Sequence, residues 1–296
     1  MALRFGLLGT GRWAYEAAAP GLAAAPDAQL VAVWGRDPDK AAALAGEHGA
    51  RPYGDVDELL ADVDAVAIAL PPDVQAPLAA RAARAGRHLL LDKPLALDPA
   101  AAEEVVEAAA ATGVSSVVFF TNRFRPAVRD VLRDAVATGG WYAGRATLLA
   151  RVPGLHEGVS PWRAEHGGLW DVGPHALSLL LPVLGPVEAV AGAAAGPHAT
   201  TSVLLRHASG AVSTMALSLE TPEPAQAWDV TFTGASGWLT VPSGAGAVEA
   251  YALAATELVQ AATAGRADHP CDVRFARDVV GILAEAQSRC ASAEKR

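Results

Sequence analysis

The chain has 296 residues, of which 52% are apolar and 19% charged, so it is long enough for about two folded domains and is not expected to be disordered. It carries 23 basic and 32 acidic residues, a formal net charge of −9, without a Lys/Arg-rich block, which argues against a nucleic-acid partner. The main candidate for a membrane span, the uncharged run of residues 172–187, contains three prolines and is too short to cross a bilayer, so we expect no membrane partner.

The two cysteines, Cys271 and Cys290, lack the Cys and His spacing of a zinc site and are too few for a disulfide framework. We therefore predict no metal site and a reducing, cytoplasmic environment. A candidate strand begins at Leu3, which leaves no room in this sequence for a secretory signal. This also favours the cytoplasm.

The first 120 residues alternate short apolar runs with Ala-rich stretches, a pattern typical of parallel strands joined by crossover helices. The predicted strands are 3–8, 30–34, 65–70, 88–91 and 114–120, and the predicted helices are 12–24, 38–45, 74–85 and 99–111. Asp37-Pro38 and Asp98-Pro99 each place an N-cap carboxylate before a proline, which marks two helix starts. These features predict an α/β fold with an N-terminal Rossmann-type parallel sheet, in a dinucleotide-binding domain of residues 1–121.

The pattern changes near residue 121, where the alternation of strands and helices stops. The predicted strands are then 145–152, 199–207, 211–219, 228–233 and 238–241, and the predicted helices are 126–137, 171–184, 253–264 and 273–288. Strands in succession without intervening helices indicate an antiparallel sheet. We predict that residues 122–296 form an α+β domain built on a mostly antiparallel open sheet, for substrate binding and oligomerisation, whose last helix can pack back on the first domain.

The first predicted strand runs into Gly9-Thr10-Gly11-Arg12-Trp13-Ala14, a G-x-G-x-x-A turn that opens a helix. In this position the glycines permit a tight turn and a close approach of the backbone to a pyrophosphate at the helix N-terminus. Gly9, Thr10, Gly11, Arg12 and Trp13 are therefore predicted to contact a dinucleotide. The alternative is a plain tight turn.

The end of the second predicted strand bears on the choice of cofactor. NAD-binding versions of the motif carry an acidic residue about 20 positions further on, but that place holds Gly35, followed by Arg36. A guanidinium beside a small residue suits a 2′-phosphate, so we predict a preference for NADP over NAD. The alternative is that Arg36 is merely solvated and Asp37 reaches the ribose.

Two more predicted strands end in polar or proline-rich segments, at Leu70-Pro71 and at Asp92-Lys93-Pro94. Ligands of open parallel sheets bind at the carboxyl ends of the strands, so both segments are predicted to face the cofactor. Lys93 is either a catalytic cation or a surface residue. The buried character of the preceding strand favours the first interpretation.

Residues 167–175 open the helix predicted at 171–184 and place Asp171 and His175 four positions apart. On one helical face, an imidazole can act as general base while a carboxylate orients a neighbouring donor. The alternative is an N-cap Asp and a buried, hydrogen-bonded His.

Five segments together resemble one family. They are Gly6-Leu7-Leu8-Gly9-Thr10-Gly11, the run 86–94 ending in Asp92-Lys93-Pro94, Asn122-Arg123, Trp162-Arg163, and the Gly-Gly-x-x-Asp-x-Gly-x-His run that ends at His175. The chain thus resembles the Gfo/Idh/MocA oxidoreductases over most of its length. The resemblance implies that Lys93, Asp171 and His175 form the catalytic set and that Lys93-Pro94 is a cis peptide.

Three positions depart from the family pattern: Asp92 replaces the usual Glu, Gln75 stands where His is common, and Ser178 stands where an Asp often follows the catalytic His. The second domain is also shorter than usual. Members of the family act on sugars, cyclitols, nucleotide sugars and related hydroxy or keto compounds, and these departures leave the substrate open.

The resulting hypothesis is an NAD(P)-dependent oxidoreductase that transfers hydride between nicotinamide and a carbinol or keto carbon of a sugar, cyclitol or similar small polyhydroxy substrate. His175 would exchange the hydroxyl proton, Lys93 would stabilise the same oxygen, and Asp171 would support Lys93. Weaker candidates for substrate contacts, each equally suited to a structural role, are Asn122, Arg123, His156, Trp162, Arg163 and His166. The alternatives are a non-catalytic cofactor-binding regulator and a nicotinamide-dependent glycosidase.

A homodimer or homotetramer through the C-terminal sheet is also expected.

Overall fold

The computed structural model describes residues 2–158, 160–244 and 246–293. Its strands are β1 (Leu3–Leu8), β2 (Ala28–Trp34), β3 (Arg51–Tyr53), β4 (Ala65–Ile68), β5 (His88–Asp92), β6 (Ser116–Phe119), β7 (Trp141–Leu149), β8 (Val187–Gly196), β9 (Thr200–His207), β10 (Val212–Ser218), β11 (Ala227–Gly234) and β12 (Gly237–Thr240).

The α-helices are α1 (Ala19–Ala24), α2 (Pro38–Glu47), α3 (Val56–Asp62), α4 (Pro72–Arg84), α5 (Pro99–Thr112), α6 (Pro126–Thr138), α7 (Pro161–Asp171), α8 (Gly173–Leu184), α9 (Ala247–Thr263) and α10 (Val273–Ala293). A π-helical segment, Ala14–Ala18, precedes α1, and short 3₁₀ turns lie at Thr121–Phe124, Leu155–Glu157 and Glu223–Ala225. Among the described residues, no helix combines the length and the apolar character needed to span a membrane.

The chain divides into two compact units: Met1–Phe124 with Ala245–Asp278, and Arg125–Gly244 with Val279–Arg296. This division differs from the predicted domains 1–121 and 122–296, because the segment that contains α9 belongs to the first unit. The sequence pattern predicts such a return only for the last helix.

The first unit contains a six-stranded sheet in the order β3-β2-β1-β4-β5-β6, with every pairing parallel. This order confirms the predicted Rossmann-type sheet. The strand order reverses between β1 and β4, which is where doubly wound sheets open a crevice at their carboxyl ends. The capping prediction is also confirmed, since Asp37 accepts hydrogen bonds from the Asp39 and Lys40 amides and Asp98 accepts one from the Ala101 amide.

Helix α9 is part of the first unit and packs through a buried face against its N-terminal elements. Tyr251 is buried and meets the Phe119 ring edge-on, with the centroids 4.8 Å apart. A Cβ built on Gly21 would lie 2.7 Å from Cβ of Tyr251, so a glycine at this position lets α9 approach α1 closely. This packing explains why the segment returns to the first unit.

The chain that follows α9 covers the outer edge of β6. The Val118 amide donates to the Cys271 carbonyl at 2.7 Å, and the Val273 amide donates to Oγ of Ser116 at 3.2 Å. One backbone amide and one side-chain hydroxyl of this edge strand are therefore bonded to a segment about 150 residues later in the chain.

The second unit contains a sheet in the order β12-β11-β7-β10-β9-β8, in which β7 and β10 are parallel and all other neighbours are antiparallel. This confirms the predicted mostly antiparallel sheet. One face, carrying Leu148, Val203 and Met215, is buried. Helix α8 contacts β7, and the lack of a side chain at Gly144 leaves room for Leu180 and Leu184 of that helix.

Candidate functional site

The two glycines of the turn after β1 have different surroundings: Gly9 is packed against the neighbouring backbone, whereas Gly11 faces open space. Gly9 has a φ of 129°, and a Cβ built on it would collide with the Ala69 carbonyl oxygen. A Cβ built on Gly11 would meet no heavy atom within 4 Å. The backbone at Gly11 is thus accessible to a ligand, as a bound pyrophosphate requires, and the residues present fit a dinucleotide.

Trp13 adds a polar group to this turn. Its ring lies 6.4 Å from that of Phe119, and its indole Nε1–H is buried with no hydrogen-bond acceptor among the described residues. A buried donor without a partner costs free energy, so it is a group that a bound ligand can satisfy. Arg12 is exposed and pairs with Glu16.

At the end of β2, a Cβ on Gly35 would lie 2.7 Å from Cγ2 of Thr10, so no larger residue fits without moving the β1 turn. Arg36 is exposed and forms no ion pair with any residue that the structure describes. Asp37, by contrast, caps α2 through two backbone amides. The arrangement leaves the guanidinium of Arg36 available to an anion.

Leu70 and Pro71 follow β4 and are half-buried immediately before α4. Parallel strands place their carboxyl ends at the same edge of the sheet, so this segment shares an edge with the turns after β1 and β2.

The turn that carries Lys93 follows β5 at the same edge. The Lys93-Pro94 bond is cis, as the family resemblance implied. Oδ1 of Asp92 accepts a hydrogen bond from the Lys93 amide at 2.8 Å. Side-chain atoms of Gln75, in α4, bond to the backbone on both sides of Lys93. From the sequence, Gln75 stands out only as a departure from the family pattern, and its contacts with this turn are visible only in the structure.

Asn122 and Arg123 lie in the 3₁₀ turn after β6. Asn122 is buried, whereas the Arg123 guanidinium lies over the Phe275 ring at 5.9 Å from its centroid. The Arg123 contact is one of packing within the first unit.

In the second unit, the predicted helix start at Asp171 is wrong. Asp171 ends α7, Val172 intervenes, and His175 lies in the first turn of α8. Within α7 the backbone breaks at Gly167, whose φ of 63° and ψ of −160° are not helical. A Cβ on Gly168 would lie 2.7 Å from Cα of Ser218, so the two glycines turn the chain and bring it against β10.

Asp171 has a cationic partner in its own unit. Nε of Arg163 lies 3.0 Å from Oδ1 of Asp171, and the guanidinium also donates to Oγ of Ser160 and lies 4.6 Å above the Trp162 ring. Asp171 is mostly buried, and Arg163 supplies the ion-pair partner that a buried carboxylate needs. Trp162 and Arg163, predicted as weak substrate contacts, are thus brought to Asp171.

His175 is half-buried, with its ring centroid 5.8 Å from that of Trp228 on β11. One turn later, Oγ of Ser178 donates to the His175 carbonyl oxygen at 2.8 Å. The Ser178 hydroxyl therefore serves the helix backbone, and the departure from the family Asp leaves no carboxylate at this place.

The two remaining histidine candidates have other contacts. His156 is exposed, with Nε2 3.1 Å from Oε1 of Glu220, and His166 packs edge-on against Trp170. Within the described ranges, no group of three or more His, Cys, Asp or Glu residues is arranged to hold a metal ion.

The first unit has the strand order and the open glycine turn of a dinucleotide-binding α/β protein. The same chain also contains a second unit, which is built on a mixed sheet. The family model described as "Oxidoreductase family, NAD-binding Rossmann fold" matches residues 3–120, and the GFO/IDH/MocA C-terminal domain matches residues 133–240. The chain belongs to the GFO/IDH/MocA oxidoreductase family, which confirms the resemblance.

Similar proteins include an inositol 2-dehydrogenase from Rhizobium meliloti, 33% identical over 225 residues that cover 71% of this chain and 67% of that protein. A dTDP-3,4-didehydro-2,6-dideoxy-alpha-D-glucose 3-reductase from Streptomyces antibioticus is 34% identical over 198 residues, which cover 64% of this chain and 60% of the reductase. The chain thus matches less than two thirds of the length of that relative.

Among solved structures, GenD2 from gentamicin A biosynthesis, in complex with NAD, is 25% identical with a TM-score of 0.85, over 99% of this chain and 95% of its own. A levoglucosan dehydrogenase in complex with NADH and levoglucosan has a TM-score of 0.86 at 20% identity, over 99% of this chain and 98% of its own, and shows the shared fold.

Proposed function

We propose that this protein is an NAD(P)-dependent oxidoreductase that transfers hydride between nicotinamide and a carbinol or keto carbon of a sugar, cyclitol or similar small polyhydroxy compound. The observation that carries the proposal is the position of Lys93, on a turn at the same sheet edge as the open Gly9–Gly11 turn. Relatives named for inositol and for a dTDP-linked deoxysugar support the substrate class.

In this proposal the first unit holds the dinucleotide and the second unit binds the substrate. The residues assigned to the dinucleotide are Gly9, Thr10, Gly11, Arg12, Trp13, Gly35, Arg36, Leu70, Pro71, Asp92 and Lys93. The nicotinamide, when bound, supplies or accepts the hydride. The protein contributes binding, orientation and proton transfer.

Three side chains carry the proton and charge chemistry. His175 takes the substrate hydroxyl proton during oxidation and returns it during reduction. Lys93 donates a hydrogen bond to that oxygen and stabilises the negative charge that develops on it. Asp171, the ion-pair partner of Arg163, is the third member of the proposed catalytic set.

The test is a panel of sugars, inositols and keto-sugars assayed with NAD(H) and NADP(H) by nicotinamide absorbance. Stoichiometric turnover of the cofactor with one of these substrates supports the proposal. Glycoside cleavage with only catalytic cofactor identifies a glycosidase instead. Cofactor binding without turnover of any panel member favours a regulator.

The first prediction concerns the cofactor, since Arg36 is exposed beside Gly35 and has no described ion-pair partner. We expect NADP(H) to bind more tightly than NAD(H), because a charged contact to phosphate contributes on the order of 1.5 to 3 kcal/mol. Arg36→Ala should weaken NADP(H) binding about 10-fold or more and leave NAD(H) binding nearly unchanged. Titration calorimetry with both cofactors measures this, and equal affinities in the parent protein contradict it.

The second prediction is a homodimer or homotetramer that uses the open face of the second sheet. That face exposes Leu204 (39%) and Val212 (42%), while the opposite face is buried. Exposed apolar sheet surface is commonly covered by a second copy in homo-oligomers. Light scattering at micromolar concentration should give at least twice 30.2 kDa. Leu204→Asp should shift the mass toward a monomer, and a monomeric parent protein contradicts the assignment.

No nucleic-acid or membrane partner is proposed, and the charge and cysteine content of the sequence support a cytoplasmic location.

A further inference from the structure

Gln75 is a fully buried amide in the first turns of α4, and its side-chain hydrogen bonds reach the end of β5 and the turn that follows it. Its Oε1 accepts from the Asp92 amide at 2.8 Å. Its Nε2 lies 2.8 Å from the Asp92 carbonyl oxygen and 3.1 Å from the Pro94 carbonyl oxygen, and donates to both. One side chain therefore makes three close hydrogen bonds to backbone groups before and after Lys93, and a longer contact of 3.4 Å joins its Nε2 to the Leu95 carbonyl oxygen.

These bonds leave the backbone around Lys93 little freedom. The Asp92 side chain holds the Lys93 amide from within the turn, while Gln75 holds the flanking groups from α4. A buried carbonyl or amide that loses its partner carries its full desolvation cost, so alternative conformations of this turn are unfavourable. The backbone that carries the Lys93 side chain is fixed by contacts outside its own strand.

The chemistry of the amide suits this arrangement better than that of other polar side chains. Glutamine supplies one acceptor oxygen and two N–H donors, which match the Asp92 amide and the two carbonyl groups. A neutral histidine supplies one donor and one acceptor, so it satisfies at most two of the three groups. A carboxylate supplies no donor at all.

We propose that Gln75 is a positioning residue that acts through Lys93, an inference that rests on the proposed role of Lys93 in the reaction. Gln75 holds the turn so that the Lys93 ammonium meets the substrate oxygen in reactive geometry. Displacements of about 1 Å at a reacting group can lower a rate by as much as 100-fold, so a loosened turn should be visible in turnover.

A double-mutant cycle tests the proposal with the full-length protein. Gln75→Ala should lower kcat about 10-fold and change the affinity for NADPH less than about twofold. In a Lys93→Met background the same change should lower kcat less than about twofold, because the group that Gln75 positions is already gone. A merely structural role would lower kcat by the same factor in both backgrounds.

Gln75→His is a second variant, chosen because the family commonly has histidine here and because it keeps one donor and one acceptor. Its kcat should fall between that of the parent and that of Gln75→Ala. It also replaces Gln75→Ala in the cycle if the alanine variant does not fold.

Ser115→Ala is the matched control. Ser115 is also buried in the first unit and its hydroxyl donates to a backbone carbonyl, that of Arg266, but it lies at the amino end of β6, away from the crevice edge. The thermal stability of the Ser115→Ala variant should fall, while its kcat should stay at the parent value.

The outcomes separate the inference from the proposed function. If Lys93→Met loses turnover while the Gln75 variants keep it, the positioning role is wrong and the role of Lys93 stands. If Gln75→Ala is equally harmful with and without Lys93, Gln75 does not act through Lys93. If Lys93→Met keeps normal turnover, both the role of Lys93 and the inference are overturned.

Discussion

Lys93→Met and His175→Ala are each expected to lower turnover about 100-fold or more while leaving cofactor affinity nearly unchanged. Methionine keeps the length of the lysine stem and removes its charge, so the loss isolates the ammonium group. Alanine at position 175 removes the proton-transfer group, whose contribution is typically 100-fold to 10,000-fold. Neither change alters a residue of the Gly9–Gly11 turn.

Steady-state kinetics on a substrate of the parent enzyme, together with NADPH titration, measures both effects. His48→Ala, at the C-cap of α2, serves as a control for removal of an imidazole and should behave as the parent does. A folded Lys93 or His175 variant with near-normal turnover would show that the residue has a surface or packing role instead.

The two glycines of the β1 turn should respond to substitution in opposite ways. Gly9→Ala combines an unfavourable φ of 129° with a collision against the Ala69 carbonyl, so we expect a loss of about 2 to 4 kcal/mol in the free energy of unfolding. Gly11→Ala meets open space and should cost about 1 kcal/mol or less. Its methyl group fills the space above the backbone that a pyrophosphate needs, so NADPH affinity should fall about 10-fold or more.

Urea unfolding without cofactor and fluorescence titration with NADPH distinguish the two effects. The assignment fails if Gly9→Ala is as stable as the parent. It also fails if Gly11→Ala binds NADPH with parental affinity, because the turn would then have no close contact with the dinucleotide.

The parts of the fold that the sequence predicted well are those with strong local signals. Unbroken apolar runs identified the central strands of the first sheet, and Asp-Pro pairs identified the starts of α2 and α5. Strand β3 was missed because its three residues include a proline and are mostly exposed. Strand β8 was missed because seven of its ten residues are Ala or Gly, which are not typical of strands. Helix α7 was missed although Ser160-Pro161 repeats the pattern of a polar residue before a proline.

The site shows the same division between local and distant information. Its glycine turn and Lys93 were predicted from motifs that lie within a few residues. The Gln75 side chain bonds to backbone atoms 17 to 20 positions away. Every residue carries a backbone carbonyl, so the sequence does not show which carbonyls accept these bonds. The pairing of Arg163 with Asp171 depends on the break at Gly167, so helical spacing alone could not predict it.

The contacts of residues 271 and 273 with the edge of β6 have a consequence for folding during synthesis. A ribosome releases residues 1–124 long before it reaches Cys271 and Val273, the residues that pair with that edge. During this interval the nascent sheet presents an unpaired strand edge, together with the surface of Phe119 that α9 later buries. The first unit to begin folding is therefore completed only after residues up to 278 have been synthesised.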